Sequence, residues 1–220
     1  MIVDERMVTF INSFDTGNTP ILDEIEREAL ATYVPIVRKE MQSFLKLLMA
    51  MHKPMRILEV GTAVGFSSLL MAEYAPEGCA ITTIENYEKR IPIARANFDR
   101  AGRTSQITLL EGDAQEILPS LEGTYDFIFM DAAKGQYIHF MPEVMRLLAP
   151  GGILVSDNVL QEGDIIEYHY IVERRNRTIY KRMREYIYAL THDERLTTAI
   201  LPVGDGITVS VKKAQNCTEQ

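Results

Sequence analysis

An unbroken apolar run, Phe127 to Met130, leads straight into Asp131-Ala132-Ala133-Lys134, so a carboxylate and an amine follow directly on a segment with no polar side chain. Such a run reads as a strand buried on both faces, which implies a parallel sheet covered by helices. Ligands in sheets of this kind bind beyond the carboxyl ends of the strands, where Asp131 and Lys134 fall. A second run, Ile153-Leu154-Val155, ends in Ser156-Asp157-Asn158. Asp131, Asp157 and Asn158 at two neighbouring strand ends are hard oxygen donors with no His or Cys among them. That set favours magnesium or calcium over zinc and leaves about three octahedral positions for substrate and water. The alternative is that these residues only cap the elements that follow.

A third strand end carries Glu59-Val60-Gly61-Thr62-Ala63-Val64-Gly65, and Glu85 follows 85 − 65 = 20 residues beyond the last glycine. This spacing suits a carboxylate that binds a ribose. The glycines let the backbone approach a ligand, but G-x-x-x-G lacks the three-glycine fingerprint of a pyrophosphate site. With Glu59 beside the loop and no P-loop lysine, a nucleoside carrying a cationic group fits better than one carrying phosphates, and S-adenosylmethionine has that character. Without a ligand, Gly61 and Gly65 would be only a tight strand-to-helix turn.

The elements that position these groups follow from periodicity. Residues 4–14, 21–33 and 36–51 read as amphipathic helices that precede any strand. From Arg56 strands and helices alternate: strands at 57–60, 80–85, 107–111, 125–131 and 152–157, with helices at 66–74, 89–101, 114–118 and 137–147 between them. Pro92 must sit in the first turn of its helix. A helix near 176–191 then precedes strands 196–202 and 206–213, joined by Gly204-Asp205-Gly206. Right-handed βαβ units predict an α/β, doubly wound sheet, and the tight turn predicts an antiparallel C-terminal hairpin. Residues 1–220 read as one domain in which 1–52 form a helical N-terminal cap.

A content of 46% hydrophobic residues supports a sizeable core. A net charge of −8 excludes a broad positive field that coats nucleic acid or anionic membrane, though not a local basic patch. Cys79 and Cys217 form no C-x-x-C pair, which suits a reducing cytosol. With no run approaching the roughly 18 apolar residues of a membrane span, a soluble, cytoplasmic protein is expected. His52, His139, His169 and His192 have no ligand spacing, the methionines read as core filler, and Asp205 between two glycines reads as turn chemistry.

The stretches Glu59 to Gly65, Glu85, Gly112-Asp113-Ala114-Gln115, Asp131-Ala132-Ala133-Lys134 with Tyr137, and Asp157-Asn158-Val159 together resemble the metal-dependent O-methyltransferases of the catechol and caffeoyl-coenzyme A type, over about residues 35–213. The resemblance implies a Rossmann-like, class I S-adenosylmethionine-methyltransferase sheet with an antiparallel last strand. It implies Mg²⁺ on Asp131, Asp157 and Asn158, and Lys134 as general base. Val37, Glu59, Gly61, Thr62, Ser67, Glu85, Asp113, Ala114 and Asp131 would hold S-adenosyl-L-methionine, with Glu85 on the ribose. A homodimer is an expectation by analogy with the family. The chemistry is coherent, since two oxygens on neighbouring carbons chelate the metal, which acidifies and aims the hydroxyl.

Between 174 and 184 lie Arg174, Arg175, Arg177, Lys181, Arg182 and Arg184 with no acid interleaved. Positions 174, 177, 181 and 184 would share one helix face, opposite Ile179, Met183, Tyr186, Ile187 and Leu190. A basic strip beside the site suits phosphate contacts, although such runs also serve as solvated, acid-paired faces. Together with Asp157-Asn158-Val159-Leu160 and Thr198 to Gly206, the strip resembles one branch of the family, the bacterial tRNA 5-hydroxyuridine methyltransferases. That resemblance implies a tRNA partner read by Arg174, Arg175, Arg177, Lys181 and Arg184. A small catechol-like acceptor is the alternative. Small Ala132 and Ala133 depart from the catechol enzyme and suggest a more open pocket.

Overall fold

The computed structural model describes residues 2–167 and 172–214; Cys217 and His169 lie outside them. One seven-stranded sheet organises the chain, in the order β3-β2-β1-β4-β5-β7-β6. The strands are β1 Arg56–Val60, β2 Ala80–Glu85, β3 Ile107–Glu111, β4 Tyr125–Met130, β5 Leu148–Ser156, β6 Leu196–Leu201 and β7 Ile207–Lys212. β1 to β5 pair in parallel, while β7 runs antiparallel to β5 and to β6. The expected doubly wound sheet and terminal hairpin are therefore both present.

The alternation inside β4 shows why no polar residue interrupts it. Phe127 and Phe129 face one core layer, shared with Leu45, Met49, Phe66 and Leu69. These side chains come from α3 (Lys39–His52) and α4 (Phe66–Tyr74). Ile128 and Met130 face the other layer, with Phe140, Val144, Met183 and Tyr186, from α7 (Tyr137–Leu147) and α8 (Arg177–His192). Both layers exclude water from β4, so its carboxyl end projects from a fully packed strand. α1 (Glu5–Asn12), α2 (Pro20–Ala31), α5 (Ile91–Arg100) and α6 (Ala114–Ile117) complete the helices. Pro92 lies in the first turn of α5 as its missing N–H requires. Among the described residues no helix is long and apolar enough to cross a membrane.

Most boundaries shift by one or two residues from the sequence expectation, and three differences bear on the site. α3 starts at Lys39 rather than Ile36, because Arg38 is extended (ψ 159°) and Pro35 to Val37 form cavity wall instead of a helical turn. β5 starts at Leu148, ahead of Gly151-Gly152, and an irregular register between Tyr125 and Phe127 accommodates the extra residues. Arg174 and Arg175 occupy a 3-10 turn, Arg174–Asn176, ahead of α8. The basic residues consequently do not share one continuous helix face.

Register brings the two acidic strand ends level. Met130 pairs with Ser156, and the Asp157 N–H donates to the Met130 carbonyl at 2.9 Å. Beneath them lies Tyr137, fully buried, whose hydroxyl is 3.0 Å from the Met130 carbonyl and 3.2 Å from the Asp157 carbonyl. Tyr186 packs edge-on against it at 5.4 Å between ring centroids and shares a 2.6 Å hydrogen bond with Ser156. The pair supports the strand ends from below. Tyr137→Phe removes the hydroxyl donor that those two carbonyls share, leaving the Met130 carbonyl only its Asp157 N–H, and is expected to lower unfolding free energy by about 1–2 kcal/mol in urea melts; an unchanged midpoint would show that the hydroxyl is not part of the support.

Candidate functional site

A cavity of about 650 Å³ opens over the carboxyl ends of β1, β2, β4 and β5. At one end Asp131 and Asp157 face each other from adjacent strands, with Asn158, Lys134 and Asp205 around them. Burial and, next, the neighbouring Asp131 carboxylate push Asp157 up to about 7, against the Asn158 N–H that donates to its Oδ1 at 2.7 Å. Burial raises Asp131 as well, and Lys134 opposes it. Two buried carboxylates, one of them raised by the other, are a site that gains from a cation. Among the described residues no three His, Cys, Asp or Glu side chains gather, and the side-chain oxygen next to the two carboxylates is that of the Asn158 amide. Asn158 has φ 57°, a left-handed conformation that Asn tolerates and that is concentrated at functional sites. The donor set Asp131, Asp157 and Asn158 fits a hard divalent ion. Lys134 Nζ donates to Asn158 Oδ1 at 2.9 Å, so the amine stands against the ligand set itself.

The other end is the glycine loop. Gly61 has φ +105°, and a Cβ there would lie 2.1 Å from the Asp131 carbonyl oxygen. Glycine lets the β1 loop and the β4 end touch, which joins the two halves of the cavity. Glu85 is fixed by three amides: Ala63 N–H donates to Oε2 at 2.7 Å, and Asn86 and Tyr87 N–H donate to Oε1 at 3.0 and 2.8 Å. Asp113 caps α6 by accepting from the Gln115 N–H at 2.8 Å. Val37, Gly61, Thr62, Ser67, Glu85, Asp113, Ala114 and Asp131 all line this one cavity.

Glu59, grouped with them from sequence, lies elsewhere. It is fully buried behind the wall, where Ser68 Oγ and Thr83 Oγ1 donate to its Oε2, the latter at 2.6 Å. Thr83 spends its hydrogen there, so Thr62 donates to Thr83 at 2.6 Å, and Glu59 meets the cavity through the wall residues Thr62 and Ser67 rather than directly. Burial pushes Glu59 up to about 7, opposed by the Ser67, Ser68 and Thr83 hydroxyls. Several wall residues went unread: Arg38, Asn86, Tyr87, Arg90, Phe140 and Asp205. They sit on loops or helix starts with no spacing signal. Asp205, expected to be turn chemistry, pairs with Arg38 at 2.9 Å inside the cavity.

The basic residues divide by partner. Arg175 pairs with Glu173 at 2.7 Å and Lys181 with Glu185 at 3.7 Å, two acids that flank the run. Arg177, Arg182 and Arg184 donate to the carbonyls of Val172, Gly135 and Ile165 at 3.0, 3.1 and 2.8 Å. These contacts tie α8 to its surroundings, and Arg182 clamps the turn that carries Lys134. The outer surfaces of Arg174, Arg175, Lys181 and Arg184 stay exposed.

Residues 12–213 match the O-methyltransferase family model. The chain is 38% identical over 128 residues to the catechol O-methyltransferase of Niastella koreensis, 56% of this chain and 58% of that relative, so the match spans little more than half of the relative's length. It is 33% identical to caffeoyl-CoA O-methyltransferase 1 of Arabidopsis thaliana over 76% of the chain and 67% of that protein. The fold matches that of the Bacillus cereus O-methyltransferase solved with SAH, with TM-score 0.83, 25% identity and coverage of 93% and 96%.

The geometry makes two expectations. Gly61→Ala drives a methyl group into the Asp131 carbonyl and should weaken S-adenosylhomocysteine binding by roughly tenfold or more in calorimetry, about 1.4 kcal/mol; unchanged affinity would mean that the loop and β4 move independently. The Glu59 carboxyl titrates near 4.5 when unfolded and near 7 when folded. Between those values the folded chain holds the extra proton, so Glu59 lowers stability as pH rises through that window. Glu59→Gln removes this fall, and its gain over the wild type should be larger at about pH 8 than at about pH 5, by at most roughly 3 kcal/mol. Equal gaps in melting temperature at both pH values would contradict the buried titration.

Proposed function

We propose, on the ground that this chain belongs to the O-methyltransferase family, that it transfers the methyl group of S-adenosylmethionine to one hydroxyl of an acceptor with two oxygens on neighbouring carbons. The observation that carries this reading is the convergence of Asp131, Asp157, Asn158 and Lys134 at one end of a cavity whose other end is the glycine loop with Glu85. The relatives' names point to small catechol-type or caffeoyl acceptors, so a small vicinal dioxygen compound is the first choice.

When bound at Asp131, Asp157 and Asn158, Mg²⁺ would acidify the acceptor hydroxyl and fix its direction. Lys134 takes the hydroxyl proton at Nζ, the atom that meets Asn158 in the structure. Glu85, rigid through its three amide donors, accepts from the ribose of the cofactor. Gly61 lets the cofactor end and the acceptor end share one space, as an in-line displacement requires. Val37 and Phe140 supply apolar wall to the cavity.

A second reading is methylation of 5-hydroxyuridine in tRNA to 5-methoxyuridine, whose 5-hydroxyl and C4 carbonyl form the same chelating pair. The observation in its favour is that Arg174, Arg175, Lys181 and Arg184 are exposed on the segment that grips the Lys134 turn through Arg182. Incubation with labelled S-adenosylmethionine and Mg²⁺, offering catechol and 5-hydroxyuridine-containing tRNA in parallel, separates the two. Label is expected in catechol, abolished by EDTA and lowered about 10²-fold or more by Lys134→Met with S-adenosylhomocysteine affinity retained. Transfer that survives chelation would refute metal assistance. Label in tRNA that is lost on charge reversal of Arg174 and Lys181 would establish the RNA acceptor.

A further inference from the structure

Asp205 is held in place by backbone as well as by side chains. The Val159 N–H donates to the Gly206 carbonyl at 2.8 Å and the Leu160 N–H to the Asp205 carbonyl at 3.0 Å, which straps the β6–β7 turn to the segment that follows Asn158. Gly206, with φ +83°, leaves no room for a Cβ, which would meet Leu160 at 2.2 Å. The Asp205 carboxylate therefore has one address, in the cavity wall beside Asn158.

Its two oxygens are treated unequally. Arg38 Nη2 donates to Oδ2 at 2.9 Å and Asn158 Nδ2 approaches the same oxygen at 3.4 Å. Oδ1 is buried and has no hydrogen-bond partner among the described residues. A buried carboxylate oxygen without a donor is costly, and in a ligand cavity the missing donor belongs to the ligand. The placement says which part of the ligand. Lys134 Nζ lies on Asn158 Oδ1 and Asp205 Oδ2 lies on Asn158 Nδ2, so the base and the carboxylate that carries the free oxygen stand on the two sides of one amide.

We propose that Asp205 is a specificity-determining contact for the acceptor, its Oδ1 taking a hydrogen bond from an O–H or N–H donor on the ring position next to the dioxygen pair. The inference rests on the dioxygen acceptor reading above and adds a third point of recognition. Catechol has no donor there. A 1,2,3-trihydroxybenzene presents an O–H, and a 5-hydroxypyrimidine presents the ring N–H beside its carbonyl. A site that holds a buried acceptor for such a donor discriminates against the analogue that lacks it.

Asp205→Asn is the discriminating variant, because it keeps the shape of the side chain. Arg38 and Asn158 both donate toward Oδ2, so the amide oxygen takes that position and the amide NH₂ replaces Oδ1. An acceptor at this point becomes a donor. Dissociation constants of catechol, pyrogallol and 5-hydroxyuridine nucleoside are measured on protein loaded with S-adenosylhomocysteine and Mg²⁺, alongside kcat/KM, with thermal melting as the check on folding. Asp205→Asn is expected to weaken pyrogallol, 5-hydroxyuridine or both at least tenfold more than catechol, and which of them responds tells an O–H source from an N–H source. Equal weakening of all three would assign Asp205 a purely structural pairing with Arg38 and overturn the proposal, as would no weakening at all. Wild-type protein that binds S-adenosylhomocysteine but neither binds nor methylates any of the three would overturn the dioxygen reading, and this one with it.

Discussion

Two carboxylates forced together at the ends of adjacent parallel strands are the constraint on which the rest depends. The pairing of Met130 with Ser156 leaves Asp131 and Asp157 no choice but to emerge side by side. Burial raises both carboxylates, Asp131 raises Asp157 further, and Lys134 is the cation set against Asp131. A hard divalent ion held by both would relieve this repulsion. Much of the surrounding structure holds the geometry against it: the Tyr137 hydroxyl between both strand ends, Tyr186 against Tyr137, and the left-handed backbone of Asn158 that turns its amide toward Lys134. Strain and like-charge proximity at this point are offset by two fully packed core layers on β4.

The parts of this arrangement that follow from periodicity were legible in the sequence. An uninterrupted apolar β4 is recognisable because both of its faces are buried, and the carboxyl end of a parallel strand is where ligands bind whatever their chemistry. Gly61 was legible for a local reason, since only glycine allows the loop to touch the Asp131 carbonyl. Glu59 was misplaced because sequence gives the neighbourhood of a side chain and not the face it takes. In β1 its side chain enters the core layer and meets Ser68 and Thr83 instead of the cavity. Asp205 and Arg38 were missed because 205 − 38 = 167 residues separate them, and only the antiparallel hairpin and the extended start of α3 bring them together. The acids that pair with the basic run stand just outside the 174–184 window, at Glu173 and Glu185.

The segment that leads into α3 belongs to the site. Pro35 to Arg38 form cavity wall, Met41 follows from the first turn of α3, and Arg38 reaches the C-terminal hairpin. The cavity is thus closed by the two ends of the chain meeting over a sheet assembled from its middle. On the proposed reading, cofactor contacts would come from the ends of β1 and β2 and the start of α6, and acceptor contacts from the ends of β4 and β5 and the hairpin. The glycine at position 61 is where the two sets touch, which is the arrangement a transfer between two bound molecules demands.

The most direct measurement is Mn²⁺ binding followed by electron paramagnetic resonance, comparing the intact protein with Asp157→Ala in the presence of S-adenosylhomocysteine. One saturable site in the wild type, broadened further by catechol and lost in the variant, is the result expected if Asp131, Asp157 and Asn158 collect a divalent ion that the acceptor also touches. Mn²⁺ uptake that is unchanged by Asp157→Ala would place the ion elsewhere and leave the paired carboxylates without the role assigned to them.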